Sequence, residues 1–133
     1  MGKEAINPDG LPRPVGPYSN VVTSAPGRLV FVAGMVALDA EGEIVGAGDI
    51  VAQTRQVMEN IRLALEAAGA TFADVVRIVN YITDVGRFSE MAAVRREYLR
   101  EPYPTSTLIE VQALMFPELM IEIEAIAVVG EGR

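Results

Sequence analysis

Apolar and polar positions alternate along Leu119-Met120-Ile121-Glu122-Ile123-Glu124-Ala125-Ile126-Ala127-Val128-Val129, which predicts one long strand. Leu119, Ile121, Ile123, Ala125, Ala127 and Val129 fall on one face, and Met120, Glu122, Glu124, Ile126 and Val128 on the other. Two carboxylates thus sit side by side on an otherwise apolar face. An ionised carboxylate is costly to desolvate without a partner, so this face is either wetted by solvent or its carboxylates have a task.

The same patterning predicts strands over 18–24, 29–35, 75–83 and 107–113. A hairpin turn at Asp39-Ala40-Glu41-Gly42 leads into a short strand at 43–45. Ile50, Thr54, Val57, Met58, Ile61, Leu65 and Ala68 recur at helical spacing and predict a helix over 50–68, with Asp49 as N-cap and Gly69 just past its end. Phe88, Met91, Val94, Tyr98 and Leu99 predict a second helix over 88–100, stopped by Pro102 and Pro104. Residues 1–17 carry Asn7-Pro8-Asp9-Gly10, Pro12, Pro14, Gly16 and Pro17 and predict an irregular, extended lead-in. The order β-β-β-α-β-α-β-β makes residues 1–133 a single α+β domain, with two helices on one face of a mixed, mostly antiparallel sheet.

Composition adds an expectation about assembly. Half of the 133 residues are hydrophobic and the mean hydropathy is +0.28, apolar for so small a soluble chain. Part of that surface is expected to be buried between subunits of a homo-oligomer. No apolar run is long enough to span a bilayer, and Met1-Gly2-Lys3-Glu4-Ala5-Ile6 lacks the apolar core of a signal peptide. A cytoplasmic protein with no membrane partner is the simple expectation. The net charge of −7 and the absence of a basic stripe argue against nucleic acid as a partner. Arg95-Arg96, with Glu90 and Glu97 close by, reads as a solvated helix face.

With no histidine and no cysteine, the chain has no His general base, no thiolate nucleophile and no His or Cys metal site. Its single lysine, Lys3, lies near an end expected to be mobile, which disfavours Schiff-base chemistry. Four stretches remain as candidates. In Val15-Gly16-Pro17-Tyr18-Ser19-Asn20 a proline-fixed turn delivers Tyr18 either as a pocket wall or as a packing residue. In Phe31-Val32-Ala33-Gly34-Met35, Gly34 permits either a close ligand approach or a β-bulge. Tyr103-Pro104-Thr105-Ser106-Thr107 presents three hydroxyls, or is a polar loop. Glu122 and Glu124 lie roughly 7 Å apart along a strand. That spacing is near that of inverting glycosidases, whose carboxylates however normally come from separate strands in a large cleft.

Taken in order, Val15-Gly16-Pro17-Tyr18-Ser19, Leu29-Val30-Phe31-Val32-Ala33-Gly34, Gly48-Asp49-Ile50 with Gln53-Thr54, Asn60-Ile61, Leu65-Glu66-Ala67-Ala68-Gly69, Asp74-Val75-Val76, Thr83-Asp84, Phe88 and Ile121-Glu122-Ile123-Glu124-Ala125-Ile126-Ala127 resemble the RidA/YjgF (L-PSP-like) family from about residue 13 onward. The resemblance implies a chorismate-mutase-like fold assembled as a homotrimer with clefts between subunits. It implies hydrolysis of enamines or imines to oxo compounds and ammonia, without metal or cofactor. Residue by residue it places Tyr18 at the cleft, the backbone around Gly34 against the ligand, and Glu122 on the attacking water.

One departure bears on the substrate. Active members carry a carboxylate-gripping arginine in a Pro-Ala-Arg-Ser/Thr pattern, where this chain reads Pro104-Thr105-Ser106-Thr107. No Arg or Lys occurs between Arg100 and Arg133 to replace it by an alignment shift. Ala33 and Met35 stand where Ser and Gln are common, and the loop Leu114-Met115-Phe116-Pro117-Glu118 is one residue longer than usual. Met35, Met115 and Phe116 suggest a more apolar pocket, while Arg13 or Arg28 is available as a replacement charge. Losing a bidentate arginine weakens carboxylate binding by about one to two orders of magnitude. The expectation is therefore a trimeric deaminase acting on an imine or enamine other than a small 2-amino-acid derivative. The alternative is a non-catalytic trimer that binds a small metabolite, and an endoribonuclease or translation inhibitor is the least favoured reading.

Overall fold

The computed structural model describes residues 2–133, so Met1, the first residue of the expected lead-in, lies outside the described part. The strands are β1 (Lys3–Ile6), β2 (Val21–Ser24), β3 (Gly27–Met35), β4 (Val75–Ile82), β5 (Thr105–Glu110) and β6 (Ile121–Gly130). The helices are α1 (Ile50–Ala67) and α2 (Phe88–Arg96), with single 3-10 turns at Phe72–Asp74 and Val85–Arg87. β1 and β2 form a two-stranded antiparallel sheet, and the main sheet has the order β3-β6-β4-β5. β6 runs antiparallel to both neighbours, whereas β4 and β5 are parallel. The mixed sheet and two helices of the α+β expectation are therefore present.

β6 is the central strand, and its alternation is the basis of the core. Ile121, Ile123, Ala125, Ala127 and Val129 are buried beneath the helices together with Val30, Val32, Ile78 and Ile82. α1 covers this face with Ile50, Val57, Met58, Ile61 and Leu65. Asp49 caps α1 by accepting from the Ala52 amide at 3.1 Å, and Gly69 follows with φ +74°, a left-handed conformation that suits glycine. Arg62 pairs with Glu59 and Glu66 on the outer surface of α1, and Arg55 reaches Glu97 just beyond α2.

Buried polar side chains set where the loops and strands begin. Gln53, fully buried, donates to the carbonyls of Gly46 and Glu118 and accepts from the Met120 amide at 2.8 Å. It therefore ties α1 to the entry of β6. Asn60 holds the carbonyls of Val36 and Leu38, fixing the chain as it leaves β3.

Several expected boundaries move. The lead-in is not irregular throughout, because Lys3–Ile6 pairs residue for residue with Val21–Ser24. Two asparagines close the proline-rich loop between them: Asn7 accepts from the Asn20 amide, and the Asn20 side chain donates to the Pro12 carbonyl. Lys3 is accordingly anchored, donating to the Val75 carbonyl at 2.9 Å. The expected strand at 18–24 starts at Val21, since Ser19 and Asn20 bond elsewhere. The stretch 43–45 is only an isolated bridge, Leu38 to Ile44, around a turn organised by the Asp39 carboxylate. α2 ends at Arg96 rather than 100, where Glu97 and Tyr98 close a tight last turn on Val94 and Arg95. β5 covers 105–110 rather than 107–113, its length set by parallel pairing from Arg77–Thr105 to Ile82–Glu110.

Replacing Gln53 by Leu removes the side-chain partner of three backbone groups, the Gly46 and Glu118 carbonyls and the Met120 amide. Gln53→Leu is expected to cost about 3 kcal/mol, measured by denaturant unfolding. A loss below about 1 kcal/mol would show that the Glu118–Met120 turn holds itself without this side chain.

Candidate functional site

Glu122 and Glu124 project from β6 on the face of the sheet away from the helices. The register sets Tyr81 opposite Glu122 and Val79 opposite Glu124. The Tyr81 hydroxyl donates to Glu124 at 2.9 Å, and this bond, reinforced by desolvation, holds the Tyr81 phenol above its usual pKa. Glu124 thus has a structural partner. Glu122 has no hydrogen-bond donor among the described residues and stays half-exposed.

Gly34 shapes the surroundings of Glu122. The β3–β6 register slips between Val32 and Met35, so the bulge expected as one alternative at Gly34 is present, and the group lying against its backbone is the Glu122 side chain. A Cβ built on Gly34 would lie 2.0 Å from Glu122 Oε2 and 2.8 Å from its carboxyl carbon. Only glycine lets the carboxylate lie against the backbone here. Met35 is half-buried opposite Ile123.

A second group of candidates gathers at the entry of β5. The Ser19 amide donates to the Pro104 carbonyl at 2.9 Å, and the Ser19 hydroxyl donates to Tyr103 at 2.6 Å. This strap carries Tyr18 to an open cleft of about 460 Å³ that it shares with Gly16, Ser19 and Tyr103. Tyr18 accepts a long 3.4 Å bond from the Val15 amide. Thr107 is exposed and gives its carbonyl to Asn80.

Ser106 points to the helix side. Its hydroxyl accepts from Asn80 Nδ2 at 3.0 Å and from the Arg95 guanidinium at 3.1 Å. Arg95 also donates to Asn80 Oδ1 at 2.7 Å. Arg95 is only 2% exposed, which corrects its reading as part of a solvated face; Glu90, Arg96 and Glu97 are exposed as expected. Burial, with a smaller contribution from Arg96, pushes Arg95 down to about 10, so it remains a cation at neutral pH. The missed signal was spacing: Arg95 stands four residues after Met91 and four before Leu99, on the apolar stripe of α2. Tyr81 and Asn80 were also missed, and each sits in a strand that periodicity alone treats as filler.

Of the other candidate charges, Arg28 donates to the Ala68 carbonyl at the end of α1, and Arg13 is exposed in the lead-in. Phe116 lines a shallow cleft with Gly42, Ile44 and Glu118, while Met115 is exposed. Within one chain the site residues therefore fall into two groups. Glu122, Gly34 and Met35 lie on β6 and β3; Tyr18, Ser106 and Thr107 lie around β5, with Ser106 turned to the opposite face. Among the described residues no group of three or more His, Cys, Asp or Glu side chains is placed to hold a metal ion. No helix is long and apolar enough to cross a membrane.

A family model described as endoribonuclease L-PSP matches residues 10–129. A RutC family protein of Pyrococcus horikoshii is 44% identical over 126 residues, covering 94% of this chain and 97% of that protein. The 3-aminoacrylate deaminase RutC of Acinetobacter baylyi is 35% identical, covering 96% of this chain and 98% of its own. Among solved structures, the Rid family protein YyfB of Yersinia pestis, described as of unknown function, superposes with a TM-score of 0.88 at 38% identity, over 97% of this chain and all of the other. RidA of the Antarctic bacterium Psychrobacter gives 0.71 at 34% identity, over 95% and 99% of the two chains.

Gly34→Ala is expected to move the Glu122 carboxylate off the β3 backbone while leaving stability within about 1 kcal/mol, because the clash is with the end of a flexible side chain. A crystal structure and a thermal melt of the variant check both halves of this expectation. An unmoved carboxylate would show that β3 yields instead.

Proposed function

The chain belongs to the RidA/YjgF family, and from that premise we propose that it is a hydrolytic deaminase of an imine or enamine other than a small 2-amino-acid derivative, with Glu122 holding the attacking water. The observation that carries this reading is the Gly34–Glu122 contact. It leaves a half-exposed carboxylate without a protein donor, packed against backbone.

The reaction asks little of the protein. An enamine protonated at carbon is an iminium ion, whose carbon is already electrophilic. Glu122 takes a proton from water as the oxygen adds to that carbon, and returns it to the nitrogen of the resulting carbinolamine. The C–N bond then breaks as the hydroxyl loses its proton, to Glu122 or to water, giving a carbonyl compound and ammonia. Positioning and one general base suffice, in keeping with a chain that has no histidine or cysteine. The relative named 3-aminoacrylate deaminase supplies the first substrate to test, since its amino group is not on the 2-carbon.

The two groups of site residues support a trimer of the family's kind. Glu122 and Ser106 face opposite sides of one sheet and serve one ligand only if a neighbouring subunit brings its β5 edge to this β6 face. Leu29 and Phe31, 59% and 72% exposed on the helix-free side of β3, give that neighbour an apolar surface to cover. A second reading, a trimer that only binds a metabolite, draws on Ser106 standing where active relatives have arginine. Ribonuclease action finds less support, given a net charge of −7 and no histidine.

With 3-aminoacrylate generated in situ, the purified protein should accelerate ammonia release, and Glu122→Gln should lower kcat about 100-fold or more. No acceleration over buffer sinks the deaminase reading, and faster turnover of 2-aminoacrylate would overturn the substrate class alone. In sedimentation, the wild type should run as a trimer and Phe31→Asp as smaller species; a monomeric wild type would refute the assembly.

A further inference from the structure

Lys3, the single lysine of the chain, lines a cavity of about 640 Å³ that lies away from the candidate site. Ala25 and Pro26 after β2, Asp74 of the 3-10 turn, Val128 of β6 and Arg133 share its walls. Val75, whose carbonyl Lys3 holds, pairs with Ala127. Ala127 stands five residues beyond Glu122 in the sequence, which along a strand is roughly 17 Å. The expectation against Schiff-base chemistry rested on a mobile Lys3, and the pairing of β1 with β2 removes that ground. The side chain is half-buried, and its Nζ donates to the Val75 carbonyl at 2.9 Å, where the β4–β6 register slips.

The hydrogen bonds around Lys3 leave its amine available. An ammonium has three donors; Val75 takes one, and Lys3 makes no other hydrogen bond among the described residues. The nearby Asp74 carboxylate is engaged elsewhere: it accepts from both terminal nitrogens of Arg133 and from the Thr71 amide. It attracts Lys3 only through space. Burial holds the Lys3 ammonium below its usual pKa, against a smaller opposing pull from Asp74. More of the amine is therefore neutral and nucleophilic at a given pH than in a solvated lysine. Ala25, Pro26 and Val128 give the cavity an apolar wall, which suits a short aliphatic chain.

We propose that Lys3 and the cavity it lines form a carbonyl-capture site, in which the ε-amine takes a small aliphatic aldehyde as a reversible imine. The neutral nitrogen adds to the aldehyde carbon, forming the C–N bond, and a proton passes from nitrogen to oxygen through solvent to give a carbinolamine. Its hydroxyl takes a proton from solvent and leaves as water, and the nitrogen lone pair closes the C=N bond. The product is an iminium, so the site begins and ends with one positive charge beside Asp74. The iminium keeps one N–H, which is enough to retain the bond to the Val75 carbonyl. Capture therefore costs neither the ion's neighbour nor the hydrogen bond that anchors β1. The proposal is independent of the deaminase reading.

The full chain is incubated with butanal or acetaldehyde, the imine is trapped with cyanoborohydride, and the label is located by peptide mapping. Nα-acetyl-lysinamide serves as the solvated reference. Lys3 is expected to reach half-saturation at lower aldehyde concentration than the reference. That advantage should be about 10-fold greater for butanal than for acetaldehyde, the worth of burying two further methylenes in the cavity. Lys3→Arg, which keeps a cation able to hold the Val75 carbonyl, should lose the label at position 3 while the α-amine, mapped separately, is labelled as before. Labelling of Lys3 no more readily than the reference overturns the proposal. So does an equal advantage for the two aldehydes, which would mark a reactive amine without a cavity that receives the chain. Both comparisons are made on the wild type, so they decide whether or not the variant folds. None of these readouts involves enamine turnover, so failure here and failure of the deaminase reading are told apart.

Discussion

The two-sidedness of β6 is the constraint on which the structure depends. It is the only strand of the main sheet that pairs antiparallel on both edges, and its faces make opposite demands. Ile121, Ile123 and Ala127 must be dry under α1, and Glu122 and Glu124 must not be. A slip of one residue would exchange the faces, burying two carboxylates under the helices and exposing the centre of the core. The register is therefore held at the strand's entry, where Gln53 clasps the Glu118 carbonyl and the Met120 amide. Fold and candidate site are specified by the same contact.

Much of this was legible beforehand, for identifiable reasons. Amphipathic period and capping residues act locally, so α1, with Asp49 and Gly69 at its ends, lies within one residue of expectation. The alternation of β6 is local too, and it exposed the carboxylate pair. Tertiary contacts were not readable. β1 exists because Asn7 and Asn20 close a loop across a proline-rich stretch, which composition alone marks as irregular. Arg95 was taken for a surface residue because charge outweighed position, although its place in the helical period already set it against the sheet. Ser106 was identified as the decisive departure, but its direction depends on Asn80, one strand away.

The interior uses neutral polar side chains as connectors. Gln53, Asn60 and Asn80 each satisfy two or more partners on a different element, and none brings a charge into the core. Such groups add little net stability but penalise misplacement heavily, because each displaced partner becomes an unsatisfied buried group. They fix the ends of β3, the entry of β6 and the pairing of β4 with β5, which are the places where the candidate site residues emerge. Arg95 is the exception: its Nε is buried without a hydrogen-bond partner and its charge is uncompensated.

That exception, together with the division of the site between two faces, gives the molecule its functional logic. The half with Glu122 and Gly34 offers a carboxylate and a close backbone approach, with Arg77 the cation on the same sheet face. The half with Ser106, Thr107 and Tyr18 offers donors and a cation held behind them but no base. Glu122 and Ser106 leave the single chain on opposite faces of one sheet, so under the proposed trimer a ligand that meets both would span two subunits.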